Sequence, residues 1–145
     1  MYFNAEFKKE DNQWKQFEND AADIFEKFDY TVRRDVRFKT SRRFQIDFIA
    51  YDKQRRFFVD CKNHAYIPPE KEREFIKKQL NRAYNFIDKE KKDNIKEVVL
   101  LVTKNKTNSL LMHKAGEDKV LAVDISSLPV LLRSIDLYED ELFVF

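Results

Sequence analysis

The chain is almost without glycine: Gly116 is the only one in 145 residues. Phosphate-cradling sites of the Rossmann and Walker A kinds need several glycines together, so that backbone amides can close around phosphate oxygens. Such sites are excluded, and no nucleotide cofactor held in that way is expected. Cysteine is equally scarce. Cys61 stands alone, which excludes an intrachain disulfide, and with only His64 and His113 beside it no zinc set of ordinary spacing exists. No apolar run approaches the ~20 residues that span a bilayer. The first residues lack the basic-then-apolar order of a secretory leader. The expectation from these absences is a cytoplasmic, intracellular protein with no membrane segment.

What is present is a folding composition. Charged residues make up 37% of the chain, but 14 phenylalanines and six tyrosines accompany them and the net charge is only +2, so the sequence has enough apolar mass for a core. The length suits one domain over residues 1–145, with a core at about 12–135 and an apolar tail at 136–145 that offers a last strand or interface material. Charge is segregated. Residues 33–62 hold ten bases against four acids, and residues 115–145 hold two bases against seven acids. That asymmetry suggests one side facing a polyanion.

Periodicity supplies the elements. Trp14, Phe17, Ala21, Ile24, Phe25 and Phe28 recur at helical spacing and predict a helix over residues 12–28. Three β-rich segments follow, at 30–38, 44–51 and 57–63, with short polar connections that indicate an antiparallel meander. Pro68-Pro69 stops the extended chain, and Pro69 opens a second helix running to about residue 89. The aliphatic run at 97–103 reads as an interior strand buried on both faces. A short helix at 108–114, a strand at 120–124 and a helix capped by Ser126 and running to about 135 complete the order. The expected class is α/β, a single domain with a mixed central sheet flanked by helices.

Within those strands, two acids interrupt apolar sequence: Asp47 in Phe44-Gln45-Ile46-Asp47-Phe48-Ile49, and Asp60 in Phe57-Phe58-Val59-Asp60-Cys61-Lys62. A buried carboxylate is costly unless it is paired or binds a cation. Alternation places Asp60 and Lys62 on one face and Cys61 on the other, where its thiol is a buried, inert group. Two carboxylates and a lysine around one point suit Mg²⁺, a hard cation that takes oxygen ligands and keeps several waters, and such a set suits hydrolysis of phosphodiesters. The plain alternative is an ion pair of Lys62 with Asp60 or Asp47 and no catalytic role.

The pattern of Asp47, twelve intervening residues and Asp60-Cys61-Lys62, following an amphipathic helix, resembles the PD-(D/E)XK nucleases, the restriction-endonuclease-like superfamily, and within it the Mrr-like and archaeal Holliday-junction-resolvase-like branches. Ile46 stands where the nominal motif has proline. The resemblance implies a metal-dependent DNA endonuclease using Mg²⁺ or Mn²⁺, with Asp47, Asp60, the Cys61 backbone carbonyl and Glu18 as metal ligands and Lys62 positioning or activating water. Glu18 is the helix acid at the border of the buried stripe, about 20° from Phe25 on the wheel. Gln79 and His64 are accessory candidates; Gln79 is followed by Tyr84 at one residue more than the Q-x-x-x-Y of the RecB-like branch. The bases expected to grip DNA are Arg33, Arg34, Arg37, Lys39, Arg42, Arg43, Arg55 and Arg56. Cutting both strands calls for two sites, so a homodimer is the expected assembly. A non-catalytic nucleic-acid-binding module, or an assembly subunit on the same fold, is the alternative.

Overall fold

A computed structural model describes the backbone of residues 2–64, 66–104, 111–115 and 118–138, and side chains over 13–64, 66–104 and 120–137. Helix α1 (Tyr2–Lys27) leads into strands β1 (Thr31–Lys39), β2 (Arg43–Tyr51) and β3 (Arg55–Lys62). Helix α2 (Pro69–Lys89) is followed by β4 (Lys96–Thr103), β5 (Leu111–Ala115) and β6 (Asp118–Asp124), a 3-10 turn at Ile125–Ser127, α3 (Leu128–Arg133) and a second 3-10 turn at Ile135–Tyr138.

The strands form one six-stranded sheet in the order β1-β2-β3-β4-β6-β5. The expected meander is there, since β1, β2 and β3 pair antiparallel, while β3, β4 and β6 run parallel and β5 is antiparallel to β6. The sheet is covered on both faces. On one, Phe17, Ala21, Ala22 and Phe25 of α1 and Leu128 and Leu131 of α3 pack on Phe48, Phe57, Val59, Leu100 and Val102. On the other, Ile76, Leu80, Ala83 and Phe86 of α2 pack on Ile49, Phe58, Val99 and Leu101. Two covered faces explain why β4 is an unbroken aliphatic run rather than an alternating one.

With one glycine in the chain, left-handed backbone falls to acids and amides: Asp29, Asp35 and Asn94 have φ of 68°, 47° and 60°. Asp and Asn tolerate this region best among residues with a Cβ. Asp29 closes α1, where the Tyr30 N–H donates to the Phe25 carbonyl at 3.1 Å and the Asp29 N–H to the Glu26 carbonyl at 3.0 Å. That is a Schellman ending with aspartate at the usual glycine position.

Two elements differ from expectation. The predicted helix at 108–114 is instead strand β5, whose last pair, Ala115 with Asp118, leaves a two-residue connection containing Gly116. A short hairpin connection with glycine is a strand signal, and pairing on β6 outweighs the helical reading of a segment this short. Ser126 does not cap a helix. It lies within the 3-10 turn and its hydroxyl donates to the Asp124 carboxylate, while Ser127 precedes α3. Helix α1 also starts earlier than the hydrophobic stripe that predicts it. Of the 136–145 tail, residues 136–138 belong to the second 3-10 turn and the rest lies outside the described residues. Among the described residues no helix is long and apolar enough to cross a membrane.

Candidate active site

The acids converge where β2 and β3 part. Their ladder ends at the pair Phe48 with Val59, so Asp47 and Asp60 are the next opposed positions and project from the same face of the sheet. The Asp47 carboxylate accepts the Cys61 N–H at 2.8 Å, serving as an acceptor beyond the end of the ladder. Its neighbour on the other side is Asp35. The β1–β2 ladder passes from Arg34 with Phe48 to Val36 with Ile46, which leaves Asp35 opposite Asp47 with its left-handed backbone.

Asp60 is only 4% exposed and is flanked by cations: Lys62 Nζ lies 3.3 Å from Oδ2 and an Arg82 terminal nitrogen lies 3.7 Å from Oδ1. Lys62 is itself held over the Phe75 ring, with Nζ 4.3 Å from the centroid, and faces Trp14 at 6.0 Å. A cation above aromatic faces is stabilised without a second carboxylate. Glu18 enters from α1, half-buried, and accepts the Trp14 indole N–H at 2.5 Å. With Trp14, Asp35, Arg37, Gln45 and Asp47, Glu18 lines a cleft of about 380 Å³.

Electrostatics show how closely the acids approach one another. Burial, then Asp60 and then Glu18, push the Asp47 carboxyl up to about 8 from an ordinary 3.8, against the lowering effect of the Cys61 N–H. Glu18 is also raised, first by burial and further by Asp60 and Asp35, while Trp14 opposes the shift. Burial, followed by Asp47 and Asp60, pushes the Cys61 thiol well up, in keeping with its place in the core beneath α1. It is not a nucleophile.

The expected residues Glu18, Asp47, Asp60 and Lys62 are thus brought together. The two carboxylates suit a small divalent cation. Asp60 Oδ2 is buried with the Lys62 ammonium beside it but no well-formed hydrogen bond, and cation binding would relieve the repulsion that raises Asp47. Among the described residues, no group of three or more His, Cys, Asp or Glu is placed to hold a metal ion. Such an ion would therefore rest on one or two carboxylates, a backbone carbonyl and water, the pattern Mg²⁺ favours.

Accessory residues fall elsewhere. Gln79 is fully buried and donates from its amide to the Phe58 carbonyl at 3.0 Å, tying α2 to β3 two residues before Asp60. His64 stacks on Phe75, with centroids 6.0 Å apart and planes 14° apart, and meets Trp14 edge-on at 5.8 Å. Arg82 carries no sequence motif, yet it lies three residues after Gln79 on the helix face turned to the sheet.

The basic residues divide. Arg37, Lys39, Arg42 and Arg43 lie exposed on the β1–β2 hairpin, with Arg42 over Phe44 at 4.7 Å and Arg37 paired with Asp35 at 3.1 Å. Arg33 pairs with Glu90 at 3.4 Å, and Arg34 binds Asn19, Asp23 and Glu26 of α1. Arg55 and Arg56, expected to grip DNA, are 6% and 3% exposed at the far end of β3. Arg55 pairs with Asp136. Arg56 binds Glu97 through Nε at 3.0 and 3.1 Å and lies between the rings of Phe58 and Phe86. Both are structural residues turned into the protein.

A mixed sheet between helices, with paired acids and a lysine at the end of its central hairpin, defines a restriction-endonuclease-like domain of the PD-(D/E)XK superfamily. The family model of the nuclease-related domain matches residues 13–126, most of the chain, and the chain belongs to that family. The comparison with curated proteins gives no match.

Proposed function

We propose that the protein is a metal-dependent DNA endonuclease that hydrolyses phosphodiesters at the acids of β2 and β3, beside the cleft that α1 forms with β1 and β2. The observation that supports this most is the set of Asp47 and Asp60 on adjacent strands with Lys62 Nζ 3.3 Å from Asp60. A bound Mg²⁺ or Mn²⁺ would lower the pKa of a water and neutralise phosphoryl charge. Asp47, Asp60 and the Cys61 carbonyl would hold it, with Glu18 of α1 reaching it through a bound water. Lys62, kept in place by Phe75, presents an ammonium group to the attacking water and the scissile phosphate. Arg37, Lys39, Arg42 and Arg43 supply the backbone grip, which fixes position without reading sequence. Cleavage of both strands would draw on a second copy of the chain.

The test is incubation of supercoiled, linear and branched DNA with Mg²⁺ or Mn²⁺, comparing the wild type with Asp60→Ala and Lys62→Ala. Nicking by the wild type alone supports the reading. A wild type that cuts nothing, or variants that cut equally well, would overturn it.

A further inference from the structure

Beside the proposed site lies a surface that the acids and the lysine do not use. His64, Tyr66, Ile67, Pro68, Lys71 and Phe75 line an open groove of about 310 Å³. It occupies the segment between β3 and α2 and the first turns of α2. Tyr66 is 75% exposed, one of three large hydrophobic side chains so exposed among the described residues. The other two, Val130 and Leu137, lie on the α3 side of the molecule and line none of the cavities described here.

The groove is continuous with the site through one residue. Phe75 forms part of its wall, and the same ring carries Lys62 Nζ at 4.3 Å, which in turn lies 3.3 Å from Asp60. A phosphate held at Lys62 therefore has an aromatic surface within the reach of its own nucleotide. The wall is also of mixed character. It offers ring faces and the proline ring for a flat apolar group, an imidazole for hydrogen bonding, and Lys71, an exposed ammonium paired with the exposed Glu74 at 3.3 Å. A flat ring attached to a phosphate matches that combination, and an aliphatic side chain of a protein partner would leave the cations unmatched. In duplex DNA the bases are stacked inside the helix and turned away from such a wall. Only an unpaired or everted nucleotide can lay its base there.

We infer that this groove is a base-stacking subsite, and that the substrate strand presents an unpaired nucleotide next to the bond that is cut. The inference rests on the endonuclease reading for its substrate, and it narrows that substrate to single-stranded, frayed or branched DNA. Tyr66 is the residue whose loss should be felt most, because its ring is exposed and free to be covered.

The test is a binding measurement without metal, so that it does not depend on cleavage. A single-stranded oligonucleotide carrying 2-aminopurine, and a blunt duplex carrying the same base, are titrated with the wild type, Tyr66→Ala and Tyr66→Trp. Quenching of the single-strand signal by the wild type is expected, together with about tenfold weaker binding by Tyr66→Ala, rescue by Tyr66→Trp, and unchanged duplex binding. Equal binding and equal quenching by wild type and Tyr66→Ala would overturn the subsite while leaving the endonuclease reading to the cleavage assay. So would Tyr66→Ala turning a dimer into a monomer in sedimentation with oligonucleotide binding intact, which would make the groove an interface between copies. No binding of either oligonucleotide also overturns it.

Discussion

The Asp47 carboxylate accepts the Cys61 backbone N–H at 2.8 Å, so the acid on β2 is anchored to the strand that carries Asp60 and Lys62. One group both closes the end of a ladder and faces the cleft. Substitutions there must keep an acceptor if they are to report on charge alone, and asparagine does so where alanine does not.

The pH dependence of the metal-free protein follows from that group. Its carboxyl is raised from 3.8 to about 8, so the folded state holds a proton that the unfolded chain releases at lower pH. The contribution to stability is complete below about pH 4, falls as pH rises between about 4 and 8, and is constant above. Denaturant midpoints in chelator across that range are expected to decline in the wild type relative to Asp47→Asn, which leaves this acid out of the titration. Parallel curves for the two proteins would contradict the assignment.

Divalent metal should counter the same repulsion. Mg²⁺ or Mn²⁺ at about a hundred times its dissociation constant is expected to stabilise the fold by roughly 2.7 kcal/mol, seen as a higher melting temperature. Asp60→Asn should abolish most of the gain. A melting temperature indifferent to metal, or equal gains in both proteins, speaks against a site at these acids.

Lys62 is predicted to matter for rate more than for folding. Lys62→Met keeps much of the apolar stem beside Phe75 and Trp14 but removes the ammonium, and should slow cleavage by about 10²–10⁴-fold while circular dichroism stays unchanged. Cleavage within a fewfold of wild type would remove Lys62 from the chemistry.

Arg56 is predicted to do the reverse. Arg56→Met leaves Glu97 buried without its guanidinium and should cost about 3–5 kcal/mol in unfolding free energy, whereas the double variant with Glu97→Leu should recover much of the loss. DNA affinity of the folded protein and its salt dependence should not move.

The hairpin bases give the complementary result. Removing Arg42 or Arg43 should lower the slope of log affinity against log salt by about 1 each, with little effect on stability. Fluorescence anisotropy between low and moderate salt measures this directly. An unchanged slope would place the grip elsewhere.

Much of this was legible in the sequence, and for a consistent reason. A carboxylate within an apolar strand is a conflict visible locally, so Asp47 and Asp60 stood out, and the helical stripe of α1 placed Glu18 at its border. The partners of a surface-type residue are not local. Arg55 and Arg56 sit in a basic stretch that reads as a polyanion grip, but their acids are Asp136 and Glu97, 81 and 41 positions on. Nothing in a one-dimensional reading brings those together. Arg82 was missed because one arginine on a charged helix is unremarkable until its face is known, and Tyr66 because exposure in an irregular segment leaves no periodicity. The strand β5 was hidden by its shortness, although Gly116 beside it was a usable turn signal.

The left-handed aspartates and asparagine have a consequence for the unfolded chain. A glycine at Asp29, Asp35 or Asn94 would relieve the crowding of a Cβ in the fold, yet it would also widen the range of conformations open to that position before folding. The two effects are each of about 1 kcal/mol and oppose one another. A chain with a single glycine thus accepts local strain at these three positions in exchange for a narrower denatured ensemble, and its stability lies partly in what the unfolded polypeptide is unable to do.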